Sequence, residues 1–255
     1  MIEKNTINKI SVAIITYNEE SVIERCLKSA CFADEIVIVD SGSVDETCNI
    51  ARKYGAKIFF NEFVGYGAQK RFAVDMCSND WVLIIDSDEE LEKESYGKIL
   101  KILCKHDCNA YSFKRNNYFN NKLIRFGSWG SDEVVRLFNK KFCHVSDFEV
   151  HESVVCDSFK NINCEINHFP RRSISSFLEK ANKYSSIWSC SRKNKKTTIA
   201  GAIFHGGWCF IFNYFFRFGF LDGSEGLIIA FSDMVDTFFK YAKLWELSQK
   251  SDHAN

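Results

Sequence analysis

Trp81-Val82-Leu83-Ile84-Ile85-Asp86-Ser87-Asp88-Glu89-Glu90 is the stretch on which the reading of this chain turns. Its first five residues are unbroken apolar sequence, as expected of a strand buried on both faces of a parallel sheet. It then breaks into carboxylates. A buried strand that delivers acids at its C-terminal end puts them where open α/β sheets bind ligands. If strand geometry persists to residue 88, Asp86 and Asp88 point the same way and Ser87 is opposed. Two carboxylates on one side repel unless a cation shares them. Mg²⁺ or Mn²⁺, held by oxygen ligands together with a phosphate, suits such a pair. The plain alternative is a strand running into a solvated acidic turn.

The segments before this stretch repeat its form. Ile10–Thr16 reads as a buried strand that breaks at Tyr17-Asn18-Glu19-Glu20. Ser21-Val22-Ile23-Glu24 has the form of a capping box, and Val22, Ile23, Cys26, Leu27 and Ala30 continue at helical spacing. Glu35–Asp40 is a second strand ending in aspartate, with Ser41-Gly42-Ser43 as its turn. A helix over 45–54 stops at Gly55, and residues 56–60 form a third strand. A loop with Gly65 and Gly67 leads into a helix over 68–77. Strand and helix alternating at this pace predict a doubly wound α/β sheet. Thr16-Tyr17-Asn18, Asp40-Ser41-Gly42 and Asp86-Ser87-Asp88 then share one rim, which suits a nucleotide with a metal-bridged diphosphate. The chain has neither a G-x-x-x-x-G-K-[ST] loop nor a G-x-G-x-x-G after its first strand, which excludes a P-loop and counts against NAD. Lys70 and Arg71, after Gly65-Tyr66-Gly67, could present cations to phosphate, or simply line a solvated helix face.

From Ala110 the pattern shifts to shorter, mixed strands at 110–115, 122–126 and 134–138, with the polar and aromatic mix of a substrate-recognition region. Pro170, the single proline, marks a boundary between a catalytic domain over 1–170 and a helical region over 171–255. Charge shifts at the same place. Residues 1–170 carry 21 Lys/Arg against 26 Asp/Glu, whereas 171–217 carry nine Lys/Arg and one acid, Glu179. That basic segment calls for an anionic partner. A helix over 173–192 places Phe177, Ala181, Tyr184 and Trp188 on one stripe. The aromatic-dense run Ile203–Leu221 follows, interrupted by His205, Asn213 and Arg217. Those interruptions disfavour a clean membrane span and favour an interfacial helix on anionic lipid, with packing on the catalytic domain or a dimer interface as the alternatives. The polar opening, Met1–Lys9, does not read as a signal peptide. Eleven scattered cysteines read as free thiols of a reducing cytoplasm rather than as disulfides, and Cys104, His106 and Cys108 do not make a zinc pattern.

The rim motifs together resemble glycosyltransferase family 2, whose fold is the GT-A type: a Rossmann-like, mixed but mostly parallel sheet flanked by helices. The likeness rests on Val12–Glu20, Ile36–Asp45 and Trp81–Glu89, and covers roughly residues 8–170. A closer likeness is to bacterial enzymes that add glucose to the heptose of lipopolysaccharide inner core. It rests on Gly65–Lys70, Arg136–Phe138, Val150-His151-Glu152, Gly219–Gly223 and Lys240–Glu246.

The resemblance implies inverting, metal-dependent transfer from a nucleotide sugar, UDP-glucose in the closer likeness, onto a lipid-linked or oligosaccharide acceptor. It places Thr16, Tyr17 and Asp40 on the nucleoside, with Asn18 and Glu20 beside them. Lys70 and Arg71 would face the diphosphate, Asp88 the metal (Mg²⁺ or Mn²⁺), and Asp86 the ribose or the metal shell. His151 would reach the metal or the acceptor, unless it is structural. For the base, the family commonly has an acidic pair just before an Arg-containing strand. Here that pair is Asp132-Glu133, in the reverse of the Glu-Asp order of many relatives, so Asp132 is the first choice and Glu133 the second. The setting implied is the cytoplasm, at the inner face of a bacterial inner membrane. Two rivals are a sugar-nucleotide pyrophosphorylase, which would open on a Gly-rich basic loop that Thr16–Glu20 is not, and a non-catalytic sugar-nucleotide-binding protein. Nucleic acid is excluded as a partner, because the basic segment lacks a recognition motif and the larger half is acidic.

Overall fold

The computed structural model describes residues 8–105, 107–130, 132–146, 153–170, 174–192 and 195–252. Glu149–Glu152, and with them the candidate His151, lie outside the described residues. The chain divides into two units. One is Met1–Asn116 with Asp132–Phe169; the other is Asn117–Ser131 with Pro170–Asn255.

The first unit is built on β1 (Ile10–Thr16), α1 (Ile23–Ala30), β2 (Glu35–Asp40), α2 (Thr47–Lys53), β3 (Lys57–Phe60), α3 (Tyr66–Met76) and β4 (Trp81–Asp86). Then come β5 (Glu89–Leu91), α4 (Lys93–Lys105), β6 (Ala110–Phe119), β8 (Asp132–Asn139), β9 (His144–Val145), β10 (Val154–Val155) and β11 (Lys160–His168), with β7 (Lys122–Leu123) in the other unit. The described strands form a nine-stranded sheet in the order β3-β2-β1-β4-β8-β6-β11-β5, with β7 added to β6; β9 and β10 pair separately. Strands β3, β2, β1 and β4 are parallel, whereas β8 runs antiparallel to both β4 and β6. This is the expected α/β architecture, a mixed sheet flanked by helices with a helical C-terminal region.

Side-chain alternation explains why the inner parallel strands β1, β2 and β4 are apolar along most of their length. Val12, Ile14, Ile36, Ile38, Leu83 and Ile85 face one core with Ile23 and Leu27 of α1 and Ile99 and Leu103 of α4. Ala13, Val37, Val39, Val82 and Ile84 face another with Ala73 and Val74 of α3. A strand covered on both faces has no solvent side to be polar. The N-terminal ends of the strands are fastened by buried Glu35, which accepts from the Ser11 hydroxyl (2.5 Å), Lys57 Nζ (2.6 Å) and the Ser78 N–H and hydroxyl (both 2.7 Å). Burial pushes this carboxyl up, but the Lys57, Ser11 and Ser78 hydrogen bonds outweigh it and bring the pKa down to about 2.

Two local expectations fail, one for a local and one for a tertiary reason. The Ser21–Glu24 capping box does not form. Helix α1 starts at Ile23 without a side-chain cap, and the Val22 and Ile23 N–H groups donate to the Glu19 carbonyl. The 122–126 strand shortens to Lys122–Leu123 because the Arg125 and Phe126 N–H groups are taken by Asp222 Oδ2 (3.1 and 2.9 Å). Gly55 does stop α2, with φ at +73°.

The second unit contains α5 (Ile174–Cys190), α6 (Ile199–Ile211) and α7 (Gly223–Asp252). Phe119, Ile124, Phe177 and Ile229 form its core beside Trp129. The polar residues of the aromatic run do not break it. Helix α6 passes through a π-turn at Phe212–Phe216, so the helical path is continuous from 199 to 216. Asn213 is buried and donates to Asp233 (3.2 Å), while Arg217 falls just past the helical end. The Gly219–Gly223 motif is accounted for by packing. A Cβ on Gly219 would lie 2.8 Å from the Asn213 carbonyl oxygen, Gly223 sits at φ +67°, and Asp222 anchors the 125–126 backbone. In the Lys240–Glu246 motif, Lys243 ties α7 to Asn182 and Ser186 of α5.

Candidate active site

The parallel register brings the strand ends together: Thr16 lies opposite Asp40, and Ile15 opposite Asp86. Beyond them, two loops are stitched to one another. The Asn18 N–H donates to Ser43 Oγ (2.8 Å) and its Oδ1 accepts the Val44 N–H (2.9 Å), with Asn18 itself left-handed at φ +53°. The Glu20 N–H donates to Asp45 Oδ2 and Glu20 Oε2 accepts the Glu46 N–H, both at 3.1 Å. Asn18 and Glu20 thus shape the rim by bridging its loops. Asp40 is buried and accepts the Gly42 and Ser43 N–H groups (both 2.8 Å), folding its own turn; Gly42 meets that turn at φ +96°. Tyr17 is exposed, while Thr16 is buried and its hydroxyl has no hydrogen-bond partner among the described residues.

Strand β4 ends at Asp86, and Ser87-Asp88 is a turn leading into β5. The alternation that would have aligned Asp86 with Asp88 therefore lapses at the point where it was needed. Asp86 turns to two cations: its Oδ1 lies 2.6 Å from Lys70 Nζ and its Oδ2 2.8 Å from Arg136. Burial pushes the Asp86 carboxyl up, but Lys70 and Arg136 overcome it and hold it well below the ordinary carboxylate range. Asp88 is partly exposed, with His168 Nε2 3.3 Å from its Oδ2. The Asp88 carbonyl accepts the Phe169 N–H (2.8 Å).

From Asp86 the charges continue in alternation. Arg136 also donates to Glu89 (2.5 Å), and Glu89 returns an oxygen to the Asp86 N–H (3.0 Å). Glu89 Oε1 lies 3.7 Å from Arg115. Arg115 then holds Asp132 bidentately, Nε to Oδ1 at 3.0 Å and Nη2 to Oδ2 at 2.6 Å. Lys70, Asp86, Arg136, Glu89, Arg115 and Asp132 thus form one ionic chain across α3, β4, β8, β5 and β6. Burial lowers the affinity of Arg136 for its proton, but Glu89 and Asp86 more than reverse that, so its charge is permanent. Interior charges arranged this way persist only when each has a partner.

Glu133 is not part of this chain. It alternates with Asp132 along β8, and accepts from the Ser112 hydroxyl and from Asn161 Nδ2 (2.9 Å). Those hydrogen bonds lower its pKa. Arg71 follows Lys70 on α3 and is half-buried. Four participants lie outside the candidate site residues read from sequence: Glu89, Arg115, Arg136 and His168. Arg115 and Asp132 face one another only through the β6–β8 register, and His168 reaches the rim only because β11 pairs it with Glu89. Nothing local to residues 115 or 168 announces either contact.

The donor set can be tested against a divalent cation. Among the described residues, no three His, Cys, Asp or Glu side chains converge as a protein-only metal cage. Asp86 has both oxygens on cationic side chains, which leaves Asp88, with His168 beside it. One carboxylate with an imidazole fits Mg²⁺ or Mn²⁺ when the remaining ligands come from phosphate and water, the usual manner for Mg²⁺ on nucleotides.

The model of the family described as glycosyl transferase family 2 matches residues 11–148. An uncharacterized glycosyltransferase of Rickettsia typhi is 34% identical over 95% of this chain and 89% of its own length. A lipopolysaccharide core biosynthesis glycosyltransferase of Rhizobium meliloti is 28% identical over 93% of this chain and 92% of its own. Among solved structures, residues 1–349 of Staphylococcus aureus TarS superpose with a TM-score of 0.47 at 15% identity, covering 97% of this chain and 92% of that one.

Proposed function

This chain belongs to glycosyltransferase family 2 and is a glycosyltransferase; from that premise we propose that it moves glucose from UDP-glucose onto a sugar of a lipopolysaccharide core, with inversion, in the cytoplasm at the inner face of the inner membrane. The acceptor class follows the Rhizobium meliloti relative, a lipopolysaccharide core biosynthesis enzyme. The observation that supports the reaction is the ionic chain from Lys70 and Asp86 through Arg136, Glu89 and Arg115 to Asp132, in which a guanidinium fork holds the Asp132 carboxylate.

In this reading the nucleoside sits on the rim of β1 and β2. Its polar edge meets the buried hydroxyl of Thr16, which has no partner among the described residues, and Tyr17 and Asp40 flank it. Lys70 and Arg71 face the diphosphate. A divalent cation bound by Asp88, with His168 beside it, would offset the charge growing on the departing diphosphate. Asp132 removes the proton of the acceptor hydroxyl as that oxygen attacks the anomeric carbon from the side opposite the leaving group. Arg115 is the positioning residue, because a guanidinium fork fixes the plane of the carboxylate as a lysine could not. One in-line displacement inverts the anomeric centre.

The test is UDP release across a panel of UDP-sugars with heptose-bearing core lipid, with Mn²⁺ or Mg²⁺ and with EDTA. Release from one donor that needs both the acceptor and the metal is the expected outcome. Metal-dependent UDP binding without turnover on any core acceptor would remove the acceptor class. Turnover unchanged by EDTA would remove the metal.

A further inference from the structure

We propose that the face of α6 turned away from α7 lies flat on an anionic lipid bilayer, as an interfacial helix rather than a span. The inference deepens the membrane location proposed above and rests on it, but not on the chemistry of transfer.

The helical path from Ile199 to Phe216 is 18 residues long with a mean hydropathy of 1.3, and only 17% of it is buried. At 1.5 Å per residue it measures about 27 Å, close to the hydrocarbon thickness of a bilayer, so length alone would admit a span. Its two sides differ, however. Ala202, Gly206 and Asn213 are buried on the side toward α7. The approach there is close: a Cβ on Gly206 would lie 3.2 Å from both the Met234 carbonyl oxygen and Phe238 Cβ. Asn213 is bonded to Asp233 of α7. To span, α6 would have to abandon this packing and carry Asn213 into hydrocarbon with its partner lost, which is unfavourable.

The other side carries Phe204, Trp208, Ile211, Phe212, Phe215 and Phe216, all exposed. Their spacing of three and four residues makes one stripe. Six large apolar side chains in one stripe exceed the scattered exposure normal on a soluble surface and mark an interaction face. Trp208 packs beside Phe212 and Phe216, with ring centroids 6.4 and 6.0 Å apart. An aromatic face of this kind suits the boundary between headgroups and acyl chains.

Charge selects the occupant. Arg192 and Lys195 precede the stripe, Arg217 follows it, and all three are exposed. The segment 171–217 carries nine basic residues against one acid. A second copy docked here by two-fold symmetry would set the same basic flanks against each other. Anionic phospholipid headgroups complement them instead.

The experiment is flotation of the full chain with vesicles of phosphatidylethanolamine and phosphatidylglycerol (3:1), against vesicles of phosphatidylcholine. Binding at least tenfold tighter to the anionic vesicles, weakening with salt and released by alkaline carbonate, is expected. Phe212→Ser with Phe216→Ser should lose at least tenfold of that binding while circular dichroism stays unchanged, and Lys195→Gln with Arg217→Gln should lose the anionic preference. Should the serine variant fail to fold, brominated lipid provides a readout on the unaltered helix: it should quench a tryptophan component that Trp208→Phe removes. No vesicle binding, equal binding by the folded serine variant, or no Trp208 quenching would overturn the docking face. Retention through the carbonate wash would replace it with a span, and a dimer by light scattering that the serine variant dissociates would replace it with a second copy. Vesicle binding without sugar transfer would leave this inference intact and remove the transfer reading, whereas transfer to a soluble core oligosaccharide without vesicle binding would do the opposite.

Discussion

A single guanidinium nitrogen of Arg136 donates to Asp86 at 2.8 Å and to Glu89 at 2.5 Å, and so holds two interior carboxylates that would otherwise repel each other. Replacing Arg136 by Met leaves Glu89, whose side chain is fully buried, without its nearest counter-charge. The loss should be about 3–5 kcal/mol in a denaturant titration, the cost of breaking a buried pair from one side. Adding Glu89→Gln to Arg136→Met should restore part of it. A double variant no more stable than Arg136→Met alone would show that the two residues are not energetically coupled.

Asp132 and Arg115 make separable contributions in the proposed reaction. Asp132→Asn should lower kcat by roughly 10²–10⁴-fold, the usual worth of a general base, with UDP affinity unchanged by calorimetry. Arg115→Lys keeps the charge but loses the fork, so it should cost roughly tenfold in kcat with little change in KM. Near-normal turnover by the Asp132 variant would transfer the base elsewhere, and Glu133, bonded to Ser112 and Asn161, would be next to test.

Asp88→Asn should abolish metal-dependent UDP binding, read as the loss of the Mn²⁺ signal change on adding UDP in electron paramagnetic resonance. The thermal midpoint should move little, because Asp88 is partly exposed and the described ion pairs give it only His168. His168→Ala should weaken the same signal without erasing it. Unaltered Mn²⁺ binding by the Asp88 variant would exclude it as the ligand.

Glu35 should set part of the acid stability. Its pKa in the folded protein is about 2 against an ordinary value of 4.5. A depressed carboxyl stabilises the fold fully above the unfolded value and ceases to do so as pH falls through the folded one. The contribution, about 3 kcal/mol at most, should therefore disappear between about pH 4.5 and 2. Unfolding free energies measured down that range should fall more steeply in the native chain than in Glu35→Gln. Parallel curves would show that Glu35 titrates normally.

Gly226 and Gly207 should respond oppositely to alanine. A Cβ on Gly226 would lie 1.9 Å from the Gly219 carbonyl oxygen, a backbone atom that cannot swing aside, so Gly226→Ala should unfold or severely weaken the C-terminal unit. At Gly207 in α6 nothing lies within 4 Å of the added carbon. Gly207→Ala should then be neutral or stabilising by up to ~1 kcal/mol through helix propensity. Limited proteolysis of the two variants side by side distinguishes these outcomes.

The parallel half of the sheet was legible in the chain because burial on both faces leaves an uninterrupted apolar run, as in Val82–Ile85, and such runs are local. So were the Gly55 stop and the Phe177–Ala181 stripe, each set by residues within a few positions of one another. The Ser21 capping box and the strand at 122–126 fail for different reasons: the Glu19 carbonyl, only three and four residues back, takes the Val22 and Ile23 N–H groups, whereas Asp222, about a hundred residues on, takes those of 125 and 126.

By itself the sequence determined the α/β class, the family, and the rim on which Thr16, Asp40 and Asp86 meet, because strand periodicity and strand ends are short-range properties. Only the tertiary structure decided what those acids do. Asp86 is neutralised by Lys70 and Arg136, Asp88 stands apart with His168, and Asp132 is gripped by Arg115. The physical reason is that a buried charge is governed by its counter-charge. Around this sheet the counter-charges come from a helix and from strands 16 to 80 residues away, in an arrangement that no local pattern encodes.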